Sequence, residues 1–334
     1  MNILSSINKA LDLALGANEN LLMIGEDLAD PYGGAFKVTR GLTQKYPGQV
    51  LSMPISEQAI SGIAAGYALS GETIIVEIMF ADFMFLCMDQ IVNHVSKFTE
   101  MYGRDLKLPI IFRTPCGGGR GYGPTHSQSI EKYFINIPNI AAYYLSALSN
   151  VQELYRFVLS KQQPAIIFEH KLLYAQEIYT RDRLLKMGIT CQTEGVVGVE
   201  TFYLSMVEPE KCNFTILTYG AGVPSLIELM HDLAIEQDVF INLVVYTDLK
   251  AEPTDALINI IKSTQNIITV EESLDGGTWG QLFQYKIFTK CKSSIESSKA
   301  FTSQCNVIPA SLDLERESLI RISDVKTYII EELK

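Results

Sequence analysis

The sequence lacks several features that would assign it at once to a familiar class. Its six cysteines include no Cys-X-X-Cys pair, which argues against zinc and disulfide frameworks and favours reduced thiols. The most apolar segment, residues 73–88, contains Glu77 and Asp82 and is shorter than the ~20 apolar residues that span a bilayer. We therefore expect no metal site and no membrane-spanning helix.

Basic residues are scarce relative to acidic ones. The chain has 27 lysines and arginines against 38 aspartates and glutamates, a net charge of −11. Binding to nucleic acid or to anionic lipid requires a basic surface, so neither is an expected partner. Lys9 and Asp12 also interrupt the N-terminal stretch where a signal peptide would be apolar. These features predict a soluble, cytoplasmic protein.

The length and composition predict a globular protein of about two domains. At roughly 150 residues per domain, 334 residues allow two, and 47% hydrophobic residues are enough for a large core. Helical and strand patterns alternate in both halves, which predicts an α/β fold with a parallel sheet in each. We predict a first domain over residues 1–175, a linker over 176–199 and a second domain over 200–334.

Hydrophobic periodicity gives the individual elements. Apolar residues recur every three or four positions in the helices and form short uninterrupted runs in the strands. Helices are predicted over residues 2–16, 57–69, 83–102, 151–160, 224–236, 255–263 and 324–333. Strands are predicted over residues 21–24, 73–79, 108–113, 166–169, 214–219, 240–246 and 267–271.

Acidic residues follow the first predicted strand and begin a later helix. Glu26 and Asp27 follow Gly25 at the end of the strand at 21–24, where ligands of parallel sheets bind, although an exposed turn or a helix cap is the simpler explanation. Glu57 begins a helix of small residues. In an apolar pocket its pKa would rise and it could donate a proton. In an exposed first turn its negative charge would only interact favourably with the helix dipole. Spacing leaves both alternatives open.

A glycine-rich stretch, CGGGRGYGPTHSQ, extends from Cys116 to Gln128. Its glycines match neither the dinucleotide-binding nor the P-loop spacing, so we interpret it as a mobile loop. His126 lies at its end among polar neighbours and is a candidate for proton transfer, against the alternative of an ordinary loop histidine. The aromatic and methionine residues of segment 80–90 have helical spacing, which is more typical of core than of a cofactor site.

Taken together and in this order, these stretches resemble the beta subunit of the thiamine-diphosphate-dependent decarboxylating component of 2-oxo acid dehydrogenase complexes. Pyruvate, branched-chain and acetoin dehydrogenases belong to this family. The resemblance is strong from about residue 20 to 175 and looser beyond. The matching segments are GED from Gly25, GGAFKVTRGL from Gly33, PISEQAISGIAAG from Pro54, EIMFADF from Glu77, DQIVNHVSKF from Asp89, FRTPCGGGRGYGPTHSQS from Phe112, FEHKLLY from Phe168, VEES from Val270 and GGTWG from Gly276.

The resemblance implies a fold and roles for particular residues. The first domain would be the pyrimidine-binding half of a thiamine diphosphate site, and the second a transketolase C-terminal-like domain. Glu57 would bond the aminopyrimidine ring nitrogen and donate a proton to it. Phe83 would stack on that ring and Met79 would line the pocket, with Glu26 and Ile55 as further cofactor-binding positions.

The resemblance also implies partners. His126 would handle protons or orient the acyl acceptor, which in this family is usually a lipoyl arm of an acyltransferase. The Gly-Asp-Gly motif that holds the diphosphate and its magnesium is missing, and the nearest string, Asp275-Gly276-Gly277, lies in the second half. The family supplies that half-site from an alpha subunit, so an α2β2 heterotetramer with sites between subunits is expected.

Departures from the family pattern leave alternatives open. The stretches AAYYLSALSNVQELYRFVL and VVYTDLKAEPTD differ from the usual ones, so a different acceptor or substrate is possible. The chain could also be the C-terminal half of a split transketolase-like ketol transferase, which PISE and HSQS disfavour, or a non-catalytic partner-binding scaffold, which the intact Glu57 and His126 disfavour. Lys161 stands where the family has an aspartate beside a potassium ion. Its ammonium either replaces that ion or is solvated at a helix end.

Overall fold

Two six-stranded sheets with flanking helices organise residues 1–103 and 106–333, the part of the chain described by a computed structural model. The α-helices are α1 (Ile3–Ala17), α2 (Leu42–Lys45), α3 (Glu57–Leu69), α4 (Phe98–Met101), α5 (Val151–Lys161), α6 (Arg181–Lys186), α7 (Val223–Gln237), α8 (Asp255–Thr264), α9 (Trp279–Cys291), α10 (Leu312–Ser318) and α11 (Ile322–Glu332). The strands are β1 (Leu22–Gly25), β2 (Val50–Ser52), β3 (Ile74–Glu77), β4 (Ile110–Cys116), β5 (Ala141–Tyr144), β6 (Ala165–His170), β7 (Thr190–Glu194), β8 (Thr201–Ser205), β9 (Phe214–Thr218), β10 (Ile241–Val245), β11 (Asn266–Leu274) and β12 (Ser297–Ser303).

The strand order confirms the predicted α/β class. The first sheet has the order β2-β1-β3-β4-β6-β5, and its neighbouring strands are parallel. The second has the order β12-β11-β9-β10-β8-β7, and only the pairs that involve β8 are antiparallel. Buried strands without alternation, such as β3 and β4, are typical of sheets covered on both faces.

The helix predicted over residues 83–102 has a different form. The chain there forms a 3₁₀-helix (Ala81–Cys87), a π-helix (Asp89–Val95) and the short α4. Apolar residues every three or four positions fit all three helix types, so the periodicity identifies the buried face but not the type of helix. π-Helical turns are rare and occur frequently at functional sites.

Several strands were not predicted because they bear no continuous apolar run. Strand β2 has one buried residue of three, and β7 alternates between exposed and half-buried residues. Strand β7 and helix α6 both lie inside the segment 176–199, where we predicted a linker, and β7 pairs with β8 at the edge of the second sheet. The exact domain bounds stay a prediction.

The two sheets pack against each other through the edge strand β5. The backbone N–H of Tyr144 donates to the carbonyl of Thr247 at 2.9 Å, and Tyr143 forms a bridge with Asp248. Apolar clusters on both faces contain residues from both sheets. Within the described residues, no helix is both long and apolar enough to cross a membrane.

Candidate active site

The carboxyl ends of the parallel strands β1, β3, β4 and β6 lie along one edge of the first sheet. The register places the last residues of β1 and β3, Gly25 and Glu77, side by side. Strands β4 and β6 extend three residues beyond that level and end together at Cys116 and His170. Ligands of open parallel sheets bind outside this edge. The predicted site residues lie on these segments and at the start of α3.

Glu57 and Glu26 form an acidic pair at this edge. Glu57 is the first residue of α3 and is buried, and the N-cap Ser56 accepts a hydrogen bond from the Ala59 N–H at 3.3 Å. Burial, and then the nearby negative charge of Glu57, raise the pKa of Glu26. Glu26 Oε1 is buried without a hydrogen-bond partner among the described residues. This pair can therefore accept hydrogen bonds from a bound ligand.

Phe83 and His126 are in direct contact, although 43 positions separate them in the sequence. The His126 ring centroid lies 5.2 Å from that of Phe83 and 4.7 Å from that of Phe80, both edge to face. Phe83 is half-buried on the 3₁₀-helix, and Cys87 Sγ on the same helix donates to the Glu57 carbonyl at 3.4 Å. Aromatic rings in this arrangement form a wall on which a planar ligand can pack.

Backbone contacts hold His126 at the end of the glycine-rich loop. Gly117, Gly119, Gly121 and Gly123 have positive φ angles from 73° to 86°, which residues with a Cβ rarely adopt. The His126 N–H donates to the Gly123 carbonyl at 3.2 Å, and Nδ1 lies 2.9 Å from Thr125 Oγ1. The imidazole is half-buried, which leaves it able to reach a substrate.

Lys171 and Asp82 join the site, and we did not predict either from the sequence. Lys171 is buried, its Nζ donates to the His126 carbonyl at 2.6 Å, and burial lowers its pKa. Asp82 accepts a hydrogen bond from Gln128 Nε2 at 2.7 Å, and burial raises its pKa. The signal for both was a charged residue inside or directly after an apolar segment, within the stretches FADFMF and FEHKLLY.

Met79 and Ile55 have different surroundings. Met79 follows β3 and is half-buried at the carboxyl edge of the sheet. Ile55 precedes α3 and is 85% exposed. The structure therefore brings Glu26, Glu57, Phe83 and His126 to one edge of the sheet, with Met79 beside them, and leaves Ile55 on the outer rim.

A buried ion-pair network lies behind the site. Arg113 on β4 is fully buried and pairs with Glu77 on β3 and with Glu169 on β6. The hydroxyls of Tyr174 and Tyr155 donate to Glu169 at 2.8 and 3.1 Å. Breaking such a buried pair leaves an uncompensated charge, so removing any one of Arg113, Glu77 and Glu169 would destabilise the fold.

The acidic and histidine residues do not cluster as a metal site in the described ranges. No group of three or more His, Cys, Asp or Glu side chains there could hold a metal ion. Asp275 of the Asp-Gly-Gly string accepts a hydrogen bond from Gln281 Nε2 at 2.7 Å at the start of α9. Asp275 thus has a structural role in the second domain.

Comparison with known proteins shows the family. The family described as "Transketolase, pyrimidine binding domain" matches residues 1–176. The pyruvate dehydrogenase E1 component subunit beta of Cyanidium caldarium is 29% identical over 99% of this chain and 98% of its own length. The acetoin:2,6-dichlorophenolindophenol oxidoreductase subunit beta of Cupriavidus necator is 29% identical over 82% of this chain and 79% of its own. In Dictyostelium discoideum, the mitochondrial 2-oxoisovalerate dehydrogenase subunit beta is 27% identical over 89% of this chain and 77% of its own.

A solved structure shows the same fold. It is titled "Split gene transketolase, inactive beta4 tetramer", and it has a TM-score of 0.69 at 19% identity over 98% of this chain and 96% of that chain. The resemblance to 2-oxo acid dehydrogenase beta subunits, predicted from the motifs, is confirmed. Because the family match covers more than half of the 334 residues, this chain belongs to the transketolase pyrimidine-binding domain family.

Proposed function

We propose that this chain is the beta subunit of a thiamine-diphosphate-dependent 2-oxo acid dehydrogenase, which decarboxylates a 2-oxo acid and passes the acyl or aldehyde unit to an acceptor. The observation that carries the proposal is the contact of His126 with Phe83 on a 3₁₀-helix that also bonds the Glu57 carbonyl through Cys87. The relatives named above, which extend along most of this chain, support it.

The residues at this edge fit the aminopyrimidine part of the cofactor. Glu26 has an unpaired buried carboxylate oxygen, which can accept a hydrogen bond from the ligand. Phe83 offers a half-buried aromatic face, and Met79 adds an apolar contact. Glu57 lies buried beside Glu26 at the start of α3, where its carboxyl group can bond the ring nitrogen of the aminopyrimidine.

Each of these residues has a task that its surroundings allow. When bound, thiamine diphosphate supplies a nucleophilic carbon and an electron sink for decarboxylation. Glu57 donates and recovers a proton at the pyrimidine nitrogen, and Phe83 with Phe80 excludes water from that side. His126, in contact with both rings, holds or delivers a proton near the reacting carbon or orients the acceptor.

We propose an alpha subunit as the partner that completes the site with the diphosphate and magnesium half, in an α2β2 heterotetramer. Large apolar side chains are exposed just before α3, on α3 and on the adjoining 3₁₀-helix, as expected of a subunit contact: Ile55 (85%), Ile63 (52%) and Leu86 (57%). A lipoyl acyltransferase is the proposed acceptor. We also propose a cytoplasmic location, because the six cysteines lack the spacing of a disulfide framework.

Reconstitution tests the function. The chain is co-expressed with a candidate alpha subunit, and the complex is assayed for thiamine-diphosphate-dependent CO₂ release from a panel of 2-oxo acids with an artificial electron acceptor. Turnover of at least one 2-oxo acid is expected. Turnover of ketose phosphates alone would instead assign a split transketolase, and a complex that binds the cofactor without any turnover would assign a scaffold.

A further inference from the structure

We propose that Glu315, in the second domain, is a positioning residue for the first: its carboxylate holds the backbone of the loop that carries His126. The inference rests on the proposed function, because it explains how the same site is kept in place. Through Glu315, the second domain would influence catalysis without contacting the substrate.

Two carboxylates of the second domain accept hydrogen bonds from the loop backbone. The N–H of Gly121 donates to Glu315 Oε2 at 2.6 Å, and the N–H of Gly118 donates to Glu272 Oε1 at 2.8 Å. Glu315 lies on α10 and is fully buried, and Glu272 lies on β11. Hydrogen bonds to a carboxylate are roughly twice as strong as those between neutral groups.

The loop lies directly against the segment 310–319. A Cβ built on Gly118 would come within 2.6 Å of Leu319, and one on Gly121 within 3.2 Å of the Leu312 Cβ. A Cβ on Gly123 would come within 3.3 Å of Ala310. With so little space between the two backbones, the position of the loop follows the position of α10.

The same loop is held again five residues later, at His126. Lys171 Nζ donates to the His126 carbonyl at 2.6 Å, and the His126 ring packs on Phe80 and Phe83. Glu315 and Lys171 therefore fix the two ends of the segment 121–126. Removing the Glu315 acceptor would free the first end.

The contact has a cost in stability. Glu315 Oε1 is buried and has no hydrogen-bond partner among the described residues. An unpaired buried acceptor of this kind destabilises the folded state. A carboxylate that weakens the fold and holds an active-site loop is typical of a functional residue rather than a stabilising one.

Hydrogen exchange of the full chain tests the contact without any activity assay. In Glu315→Leu, amides of residues 117–126 should exchange at least tenfold faster, while those of β9 and β10 keep their rates. Glu315→Gln retains an acceptor oxygen and should restore slow exchange. Glu317→Leu, an exposed glutamate on the same helix, is the matched control. If Glu315→Leu does not fold, Glu315→Asp, which cannot reach Gly121, replaces it with the same expectation.

Kinetics of the reconstituted complex tests the consequence. In the Leu variant kcat should fall roughly 10- to 100-fold, as for a small misplacement of a catalytic group, with KM nearly unchanged and rescue by Gln. Unchanged loop exchange, or acceleration spread equally over β9 and β10, would overturn the proposal, as would an unchanged kcat. If the wild-type complex turns over no 2-oxo acid, the proposed function fails and the exchange result alone decides the role of Glu315.

Discussion

Glu57 occupies the position on which the proposed proton transfer depends. Glu57→Gln keeps the size of the side chain and its place at the start of α3, but an amide cannot donate and recover a proton. We expect the chain to fold normally and activity of the complex to fall on the order of a hundredfold or more. The measurements are steady-state turnover and hydrogen–deuterium exchange at the reactive cofactor carbon.

The matched control for this variant is Glu19→Gln, an exposed glutamate in the turn after α1. It makes the same chemical change away from the site and should keep full activity. Near-normal exchange at the cofactor carbon in Glu57→Gln would contradict the role given to this residue.

His126 acts after cofactor binding, according to the same proposal. Its ring contacts Phe80 and Phe83 and lies at the end of a loop, separate from the acidic pair. His126→Ala should therefore leave the affinity for thiamine diphosphate unchanged and lower kcat. Cofactor titration of the complex and single-turnover kinetics check this, with His231→Ala on α7 as control. A variant that binds the cofactor poorly but turns over normally once loaded would show that the assignment is wrong.

At the scale of single elements, the C-terminal end of helix α5 is where the family's cation site would lie. The helix ends at Lys161, and Gln162 follows in the left-handed conformation with φ of 50°. Lys161 is exposed, and its Nζ lies 4.7 Å from the centre of the Phe157 ring one turn back. This position favours the solvated lysine over an ammonium that replaces potassium.

Lys161→Ala should therefore change the melting temperature little. An exposed cation–π contact contributes only about 0.5–1 kcal/mol, and the loss should be equal in sodium and in potassium buffer. Thermal melting of wild type and variant in both buffers measures it. Strong stabilisation of the wild type by potassium alone would show that the ion site is present after all.

At the scale of the whole molecule, a buried hydroxyl group lies between a carboxyl group of the first domain and one of the second. The Tyr219 hydroxyl lies 2.5 Å from Glu131 Oε1 in the first domain and 2.9 Å from Glu271 Oε2 in the second. One hydroxyl proton can serve only one of these carboxylates, so the other is satisfied by carrying its own proton. Burial raises the pKa of Glu131 from 4.5 to about 7, and the charges of Glu271 and Glu272 act in the same direction.

This raised pKa makes stability depend on pH. Between pH 4.5 and 7 the folded chain holds a proton on Glu131 that the unfolded chain has lost, so the free energy of unfolding falls as pH rises through this range. The total loss, complete above pH 7, is on the order of 3 kcal/mol. Glu131→Gln removes the titrating group. Its urea midpoint should equal that of wild type near pH 4.5 and exceed it at pH 8. Equal midpoints at both values would contradict the raised pKa.

The isolated chain should bind thiamine diphosphate weakly. The residues at the edge of the first sheet suit the aminopyrimidine, and the proposal assigns the diphosphate and magnesium to the alpha subunit. Calorimetry of the purified chain, alone and with alpha subunit, tests this expectation. Micromolar or tighter binding by the chain alone would contradict the two-subunit site.

The sequence by itself determined the fold class, the family and the main site candidates. Helix α3 begins and ends where its small-residue pattern predicts, and the α/β class follows from alternation of helices and strands. Glu57 and His126 were singled out because local motifs mark them. These motifs are contiguous in the sequence, so they can be recognised without the tertiary structure.

Only the tertiary structure decided how these residues meet. The π-helix at Asp89–Val95, the contact of Lys171 with His126 and the edge strand β7 left no pattern of their own in the sequence. The hydrogen bond from Gly121 to Glu315 joins residues 194 positions apart. Contacts between residues so far apart in the sequence depend on sheet register and on how two sheets pack. The local spacing of residues predicts neither.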